Sequence, residues 1–428
     1  MIDAPPQPPP RHISAIIAGV FAVSLLKGLR MPNLWSTTHM TFNYSRGFIR
    51  RGLFGEGLRL FGSARVYRYN VLALLAVIMF VLAALATIRL VRRMLATDGG
   101  DRGLQAVTLV FAASPGIVFL AHELGYLDYV GLIAAPIFIA WAARTRTLWA
   151  IFYLAATISV VLALIHESMI IMFAPTLLFV MVSHVVTQAR ARSLPPRTFW
   201  LLVAHAAVAT VIALCASSLV GTLGTKSPER IHALQASIAR VANFPLRSDG
   251  FEALYRSVHD NFTQLMPWYW TFPANRRYLV TGLVVTLPGL GVLSVYALRL
   301  IARLAWPLRT RAALAAVFVG ATFCPLLLNF VGWDSARWNA ICFFASFSCI
   351  ATLRLFFTAP ASEAERLRQR VDDPLMLTLA AAAIVFGLTS NYFNFLFDGY
   401  VVQWFPFDGQ LRSLMELFER NFTFMPGA

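Results

Sequence analysis

The amino-acid sequence predicts an all-α polytopic membrane protein with about eleven transmembrane helices. Hydrophobic residues make up 58% of the 428 residues and charged residues only 13%, whereas a soluble domain carries roughly 25% charged residues. Apolar segments of spanning length, about 17–25 residues each, follow one another along most of the chain. This composition excludes an ordinary soluble domain, and it also excludes a disordered chain, which is poor in hydrophobic residues.

Eleven apolar segments account for the predicted helices, and the fourth and fifth are short. The segments are 13–29, 70–91, 104–121, 128–143, 148–165, 168–187, 199–220, 278–298, 312–331, 338–357 and 374–395. The first segment could be mistaken for a signal peptide. No small-residue cleavage site follows it, and Lys27 and Arg30 stand at its end, so we interpret it as a retained anchor.

Basic residues concentrate in five short loops. These loops are marked by Arg89, Arg92, Arg93 and Arg102; by Arg144 and Arg146; by Arg190, Arg192 and Arg197; by Arg299, Arg303, Arg309 and Arg311; and by Arg354, Arg366, Arg368 and Arg370. With eleven spans all five share a side with the N-terminus, which the positive-inside rule assigns to the cytoplasm. The net charge of +16 then reflects topology and lipid headgroups, and we expect no nucleic-acid partner.

Most of the non-spanning chain falls on the opposite, outer side. We treat 1–428 as a single integral membrane domain with a first outer loop at 30–69, a second at 221–277 and an outer C-terminal tail at 396–428. The longest inner loop, 358–373, has the pattern of a charged amphipathic helix. The second outer loop contains the aromatic run Met266–Pro273, which is typical of an interfacial belt or of a platform for sugar rings or a prenyl chain.

The first outer loop combines basic, apolar and glycine residues in a pattern that predicts interfacial helices. If the loop is helical, Arg51 and Arg59 lie on a different stripe from the apolar residues Ile49, Leu53 and Leu60. Such a helix lies on the bilayer surface and touches anionic headgroups. The alternative is a phosphate clamp, because guanidinium groups offer paired donors to phosphate oxygens. The candidates for that clamp are Arg46, Arg50 and Arg51.

Acids and histidines recur in three tight turns between predicted helices. The turns contain His122, Glu123 and Asp128; His166 and Glu167; and Asp334 with Arg337. Under the eleven-span topology all three turns share the side of the first outer loop. Ionisable groups at a bilayer are costly and usually functional, so we predict one common pocket. The alternatives are that Glu123 and Glu167 are solvated turn residues and that Asp334 and Arg337 form a local ion pair of little energetic value.

The same residues raise the question of a metal. The two His-Glu pairs could supply two imidazoles and two carboxylates, but position 126 is Tyr and position 170 is Ile, so neither pair completes His-Glu-x-x-His. A divalent cation bridging carboxylates and a substrate diphosphate is the remaining option. No Gly-rich nucleotide loop is present in the sequence.

The arrangement resembles the GT-C superfamily of membrane glycosyltransferases and, more loosely, bacterial polysaccharide polymerases of the O-antigen type. The shared features are many spans, an inner N-terminus, a long first outer loop with interfacial helices, and acids where spans leave the membrane. The resemblance implies transfer of a sugar or glycan from a polyprenyl-linked donor to a glycan, lipid or protein acceptor on the extracytoplasmic face of a bacterial inner membrane. It also implies a carboxylate base for the acceptor hydroxyl and cations for the leaving phosphate.

The sequence departs from that family where an acid is usual, early in the first outer loop. Residues 41–45 contain no acid, and Glu56 is the only carboxylate in the loop. The base is therefore Glu56 or one of Glu123, Asp128 and Glu167. We prefer Glu123 and Asp128 as the acidic pair. The remaining expected roles are assistance or cation binding (His166, Glu167), phosphate binding (Arg46, Arg50, Arg51, Arg337) and completion of the pocket (His122, Asp334).

Two other classes of function remain open at this stage. One is a transporter or flippase of a lipid-linked or anionic solute, although such a protein should carry ionisable residues at mid-membrane, and here the acids lie at span ends. The other is a structural or assembly subunit without catalysis.

Overall fold

A computed structural model describes residues 10–29, 31–62, 64–192, 195–332, 334–357, 371 and 373–389. The regular elements in these ranges are helices. The short ones are α2 (Leu34–Met40), α3 (Leu53–Phe61), α11 (Pro228–Ala239), α12 (Ser248–Tyr255), α13 (Val258–Asp260) and α14 (Met266–Thr271). A 3-10 turn (Ala64–Tyr67) and a π-helical turn (Asn261–Leu265) complete this set.

Nine helical spans in the described ranges are long and apolar enough to cross a membrane. They are α1 (Arg11–Gly28), α4 (Tyr69–Leu95), α5 with α6 (Arg102–Ala112 and Pro115–His122), α8 (Leu148–Ile165), α9 (Met169–Arg192), α10 (Pro196–Leu223), α15 (Pro273–Arg303), α16 (Leu308–Phe323) with the 3-10 helix Cys324–Phe330, and α17 (Ser335–Phe357). Two further apolar helices, α7 (Tyr129–Ala142) and α18 (Pro374–Thr389), are shorter. These helices indicate an integral membrane protein, and the count of eleven spans stays a prediction.

Helix α17 forms the axis of the bundle. In its apolar stretch 89% of the residues are buried, against 83% in α9 and only 17% in α10. It packs against α6, α9, α15 and α16, and the Phe347 ring stacks on Phe111 of α5 at a centroid distance of 4.0 Å. Because α17 is central, a side chain on its first turn lies in the middle of one end of the bundle.

Helices α5 and α6 form one span that is interrupted before Pro115. Proline lacks a backbone N–H and disfavours helical geometry in the preceding residue, so α5 ends at Ala112 and a new helix starts at Pro115. Helix α6 ends at His122, and the turn 123–128 follows. Gly125 in this turn has φ +93°, a conformation that glycine adopts without steric cost. The break before Pro115 and the turn at 123–128 together determine where Glu123 and Asp128 lie.

The two long loops fold together into a small cap, which comprises the described residues of 31–68 and 224–272. The cap has a hydrophobic core of its own, and the Phe42 and Phe251 rings meet edge-on in it at 5.0 Å. That core consists of Phe42, Ile49, Tyr67, Ile231, Leu234, Ile238, Phe251 and Leu254. Its residues come from both loops, so the cap depends on contacts between segments far apart in sequence.

The helix in the first loop is shorter than the pattern predicted. Within 42–61 only α3 is helical, and before it Gly47 has φ +109° and Arg51 has φ +62°. Left-handed backbone cannot continue a right-handed helix, so Ile49 and Arg51 do not share a helix with Leu53. The end of α3 exposes Leu60 and Phe61 by 69% and 96%, which fits residues that lie at a bilayer surface.

Arg50 is the main polar link between the two loops of the cap. Its Nε and Nη2 donate to the carbonyl oxygens of Ala253, Leu254 and Arg256 at 2.6–2.9 Å. Although the sequence suggested Arg50 as a phosphate ligand, these donors are committed to holding α12 against the first loop.

Replacing Arg50 with methionine should loosen the cap by about 1.5–3 kcal/mol, the usual contribution of hydrogen bonds to a charged group. The measurement is amide hydrogen exchange over residues 248–256, which should become faster. Arg46→Met is the matched control, because Arg46 is exposed in the same loop. Unchanged exchange in the Arg50 variant would contradict this role.

At the opposite end of the bundle, a buried ion pair joins α5, α15 and α17. Arg354 pairs with Asp101, the residue that caps α5, and its Nε donates to the Tyr296 hydroxyl at 2.9 Å. Arg354 and Asp101 are 1% and 0% exposed. Arg354 lies in the last turn of α17, next to the predicted basic loop, and its side chain turns inward to meet Asp101. The predicted tail at 396–428 and most of the predicted helix at 358–373 lie outside the described residues.

Candidate functional site

The turn between α8 and α9 holds Glu167 against the cap. Arg51 donates from Nε and Nη2 to the two carboxylate oxygens at 2.7–3.2 Å, and Arg50 Nη1 lies 3.6 Å away. His166 is oriented within the same turn, since the Ser168 hydroxyl lies 2.7 Å from its Nδ1. Two-donor guanidinium–carboxylate pairs are strong and geometrically specific. Arg51 of the first outer loop and Glu167 of this turn were both predicted as site residues, and they contact each other although they are 116 residues apart in the sequence.

Arg51 reaches Glu167 from an unusual backbone conformation. At φ +62° it is the only non-glycine residue in the described ranges with a positive φ. This conformation costs an L-residue about 1–2 kcal/mol, and such residues concentrate at functional sites. The Glu167 pair fixes Arg51 in this position, so its guanidinium is preorganised.

Burial and neighbouring charges shift the pKa values of Glu167 and His166, so the two side chains differ in charge at neutral pH. Burial by itself raises the pKa of Glu167, but the guanidinium of Arg51 and then His166 outweigh it, and the pKa lies well below the usual range. Burial lowers the pKa of His166 well below 6.5, and Arg51 lowers it further. Glu167 is therefore ionised and His166 neutral at neutral pH. An ionised, paired Glu167 orients Arg51 and is a poor proton acceptor.

A second guanidinium, that of Arg337, stands at the start of α17. Its Nη2 donates to Asp128 at 2.6 Å while Nε donates to the other carboxylate oxygen, and Asp334 lies 3.3 Å from Nη1. The guanidinium also lies over the Tyr126 ring, 5.0 Å from its centroid. Burial raises the pKa of Asp334, and Arg337 opposes that rise. The Asp334–Arg337 contact expected from spacing is present, but Asp128 is the stronger partner.

A cavity between α6, α7 and α17 adjoins Arg337. Its polar wall is made by Glu123, Tyr126, Asp128 and Arg337, and its apolar walls include Phe119, Leu120, Leu132, Ala340 and Ile341. Glu123 is only 6% exposed. The predicted acidic pair thus lines one small cavity, together with Arg337 and apolar side chains.

His39 on α2 connects the two halves of this region. Its ring lies 6.3 Å from the His166 ring and interacts electrostatically with Arg51, Arg337 and Glu167. We call these groups the ionic cluster, which comprises Arg51, Glu167, His166, His39, Arg337, Asp128 and Asp334. Residues of the first loop and of the turns thus come together around His39, and a single common pocket stays a prediction.

Other predicted residues lie outside the ionic cluster. Arg46 is exposed on the cap. Glu56 accepts from Arg59 at 2.5 and 2.9 Å and from the Tyr44 backbone N–H at 2.9 Å, contacts that lower its pKa. His122 is buried at the end of α6, next to Glu123. Glu56 thus stabilises the first loop, and its place as an alternative base remains a prediction.

The described part of the chain contains no group of three or more His, Cys, Asp or Glu side chains with metal-binding geometry. The two His-Glu pairs are split, because Glu167 turns toward Arg51 whereas Glu123 lines the cavity beside Arg337. A cation held jointly by protein and substrate remains a prediction.

The sequence reasoning missed His39 and Tyr126 as members of this region. A signal for His39 was available: Asn33 accepts from the Ser36 N–H at 2.8 Å, and the stretch 33–40 has the pattern of a capped polar helix between apolar segments. A buried polar helix in a loop needs partners, which points to a site.

The fold and this site define an integral membrane protein with a buried ionic cluster at one end of its helical bundle. No protein-family model, no curated protein and no solved structure matches the chain.

Proposed function

We propose that the chain is a membrane glycosyltransferase of the GT-C type. It transfers a sugar or glycan from a polyprenyl-phosphate-type donor to an acceptor on the extracytoplasmic face of a bacterial inner membrane. The observation that carries the proposal is that carboxylates hold two guanidiniums, Arg51 against Glu167 and Arg337 against Asp128, and that Arg337 lines a cavity together with Glu123. The lining of that cavity combines charged and apolar side chains, as a polyprenyl phosphate requires, and its space is that of about one water molecule, so binding requires its walls to move apart.

The two guanidiniums supply the phosphate contacts. Arg51 uses Nε and Nη2 for Glu167, so its Nη1 edge is the one that meets the ligand. Arg337 is held by Asp128 through Nε and Nη2, and Asp334 lies 3.3 Å from its Nη1. Carboxylates that orient a guanidinium before the ligand arrives reduce the reorganisation needed to stabilise developing charge on a leaving phosphate. Arg46 and Arg50 have lesser roles in this scheme, because one is exposed and the other holds the cap together.

Glu123 is the group that we assign as base. The acceptor hydroxyl attacks the anomeric carbon of the donor, the bond from that carbon to the phosphate oxygen breaks, and the phosphate leaves with the electron pair. The hydroxyl proton passes to Glu123. Asp128 and Glu167 orient the two guanidiniums in this scheme, and Glu123 lines the cavity beside Arg337.

The test is release of polyprenyl phosphate from a polyprenyl-phosphate-linked hexose in membrane vesicles that contain the protein. Glu123→Gln should lower release at least 100-fold, the usual contribution of a general base, while the variant stays folded. The matched control is Glu252→Gln on the cap, whose side chain is 42% exposed and lies 3.8 Å from Arg256. Mass spectrometry of the released lipid follows the reaction whatever the acceptor is.

The outcomes separate the proposed transferase from the other classes of function. Full activity of Glu123→Gln would remove Glu123 as the base. Movement of the lipid-linked sugar across the bilayer without release of polyprenyl phosphate would favour a transporter or flippase. Absence of both release and movement, with retained binding to partner proteins, would favour an assembly subunit.

A further inference from the structure

His39 is a buried polar side chain whose hydrogen-bonding capacity is incompletely used. It is 7% exposed, and its Nε2 is buried without a hydrogen-bond partner among the described residues. A buried, unpaired polar group is unfavourable, and such groups in native structures call for an explanation. A ligand that hydrogen-bonds Nε2 would remove this cost.

The surroundings of the imidazole fix its orientation. Its ring lies 4.6 Å from the Trp35 ring and 4.9 Å from the Phe42 ring, measured between centroids. Both neighbours belong to the same loop as His39, and α12 of the cap covers it from the other side. A methyl group built on Gly250 of α12 would lie 3.6 Å from Nε2 and 3.5 Å from Cδ2. An alanine at position 250 would therefore bring its methyl group into ordinary van der Waals contact with the ring edge that carries Nε2.

The charge state of the imidazole indicates the kind of group that it binds. Burial lowers the pKa of His39 well below 6.5, Arg51 and Arg337 lower it further, and Glu167 opposes them. The neutral ring suits an uncharged hydrogen-bonding group better than an anion. The two guanidiniums are close enough to interact with His39 electrostatically, so that uncharged group lies next to the anion that they hold.

We infer that His39 Nε2 is a binding contact for an uncharged hydroxyl of the donor sugar, adjacent to the donor phosphate at Arg51 and Arg337. The inference rests on the proposed function and adds to it the recognition of the sugar. The hydrocarbon chain cannot supply the hydrogen bond, and the phosphate is better matched by the guanidiniums. His39 thus distinguishes a polyprenyl phosphate that carries a sugar from one that does not.

The experiment compares the affinities of the whole protein in nanodiscs for polyprenyl phosphohexose and for bare polyprenyl phosphate. Wild-type protein should bind the sugar-bearing lipid about tenfold more tightly, the effect of one buried hydrogen bond. His39→Phe keeps an aromatic ring between Trp35 and Phe42 but lacks Nε2. It should abolish this preference and leave the Kd of the bare lipid unchanged, and His39→Gln should restore part of the preference.

Two further variants keep the inference open to refutation if His39→Phe does not fold. Gly250→Ala places a methyl group against the Nε2 edge of the ring at ordinary contact distance, so it should fold and, by crowding Nε2, also remove the tenfold preference. His205→Phe is the matched control, because His205 is an exposed histidine on α10; it should behave as wild type.

Each remaining outcome has a defined meaning. A retained preference in both His39→Phe and Gly250→Ala would overturn the inference and leave the proposed function standing. Equal loss of affinity for both lipids in Gly250→Ala would also overturn it, because the effect would not concern the sugar. Wild-type protein that binds neither lipid would refute the proposed function and the inference together.

Discussion

Replacing Arg337 with methionine should lower the free energy of unfolding by about 3–5 kcal/mol, the usual cost of removing one partner of a buried ion pair. The Arg337 and Asp128 side chains are only 8% and 6% exposed, so the Asp128 charge would remain buried without its guanidinium. Methionine fills similar volume and keeps the first turn of α17 apolar. Stability is measured by denaturant titration of the purified protein in detergent.

The double variant Arg337→Met with Asp128→Asn provides the critical comparison. Because the asparagine is uncharged, the double variant should regain much of the stability that Arg337→Met loses. Transfer should stay absent in both, since neither has the guanidinium that we assign to the phosphate. Equal stability of the single variant and wild type would show that the pair does not hold α7 against α17. Recovery of transfer in the double variant would show that Arg337 acts only through stability.

Replacing Glu167 with glutamine should also destabilise the protein by about 3–5 kcal/mol, because the guanidinium of Arg51 would lose its charged partner in a buried site. The Arg51 and Glu167 side chains are 13% and 15% exposed. Transfer should fall at least 100-fold, because Arg51 would no longer be oriented toward the ligand. Arg51→Lys should give the same loss of transfer with less loss of stability, since lysine keeps the charge but not the paired donors.

The pH dependence of the free energy of unfolding identifies the contribution of Glu167 and distinguishes it from the contributions of neighbouring groups. The pKa of Glu167 is lowered in the folded protein, so its contribution is complete above the ordinary glutamate pKa of about 4.3 and is lost as pH falls toward the folded value. The Gln variant lacks this contribution, so the stability difference from wild type should shrink in strong acid. A constant difference at every pH would contradict the ion pair. Glu252→Gln on α12, whose side chain is 42% exposed, is the control.

The contrast between Glu56 and Glu167 shows how far the sequence could lead to the site. The tight turns were predictable, since charged and histidine residues interrupt apolar runs at 122–128 and 166–168, and the structure places turns there. The choice between the two carboxylates was not predictable. Glu56 pairs with Arg59, three residues away, whereas Glu167 pairs with Arg51, which is 116 residues away. Sequence spacing indicates only contacts between residues that are close in the sequence, such as Glu56 and Arg59.

The first loop shows a second limit, which concerns backbone conformation. The periodicity of 42–61 suggested one interfacial helix, but the left-handed conformation of Arg51 ends that possibility. Helical periodicity describes side-chain positions on a regular backbone, and it cannot indicate where a tertiary ion pair holds a single residue in an unfavourable conformation. Arg50 and Arg51 are consecutive and chemically identical, yet one holds the cap together and the other faces Glu167.

Membrane class, helix positions and turn positions followed from local composition, because a bilayer requires long apolar helices and confines polar residues largely to their ends. The pairing of Arg51 with Glu167 and of Arg337 with Asp128, the inward turn of Arg354 and the burial of His39 depended on packing between distant segments. The physical reason is that an ionisable side chain in an apolar bundle is stabilised by whichever opposite charge packing brings within a few ångströms. That choice is made by the arrangement of the helices and is not encoded in the residues on either side of the charge.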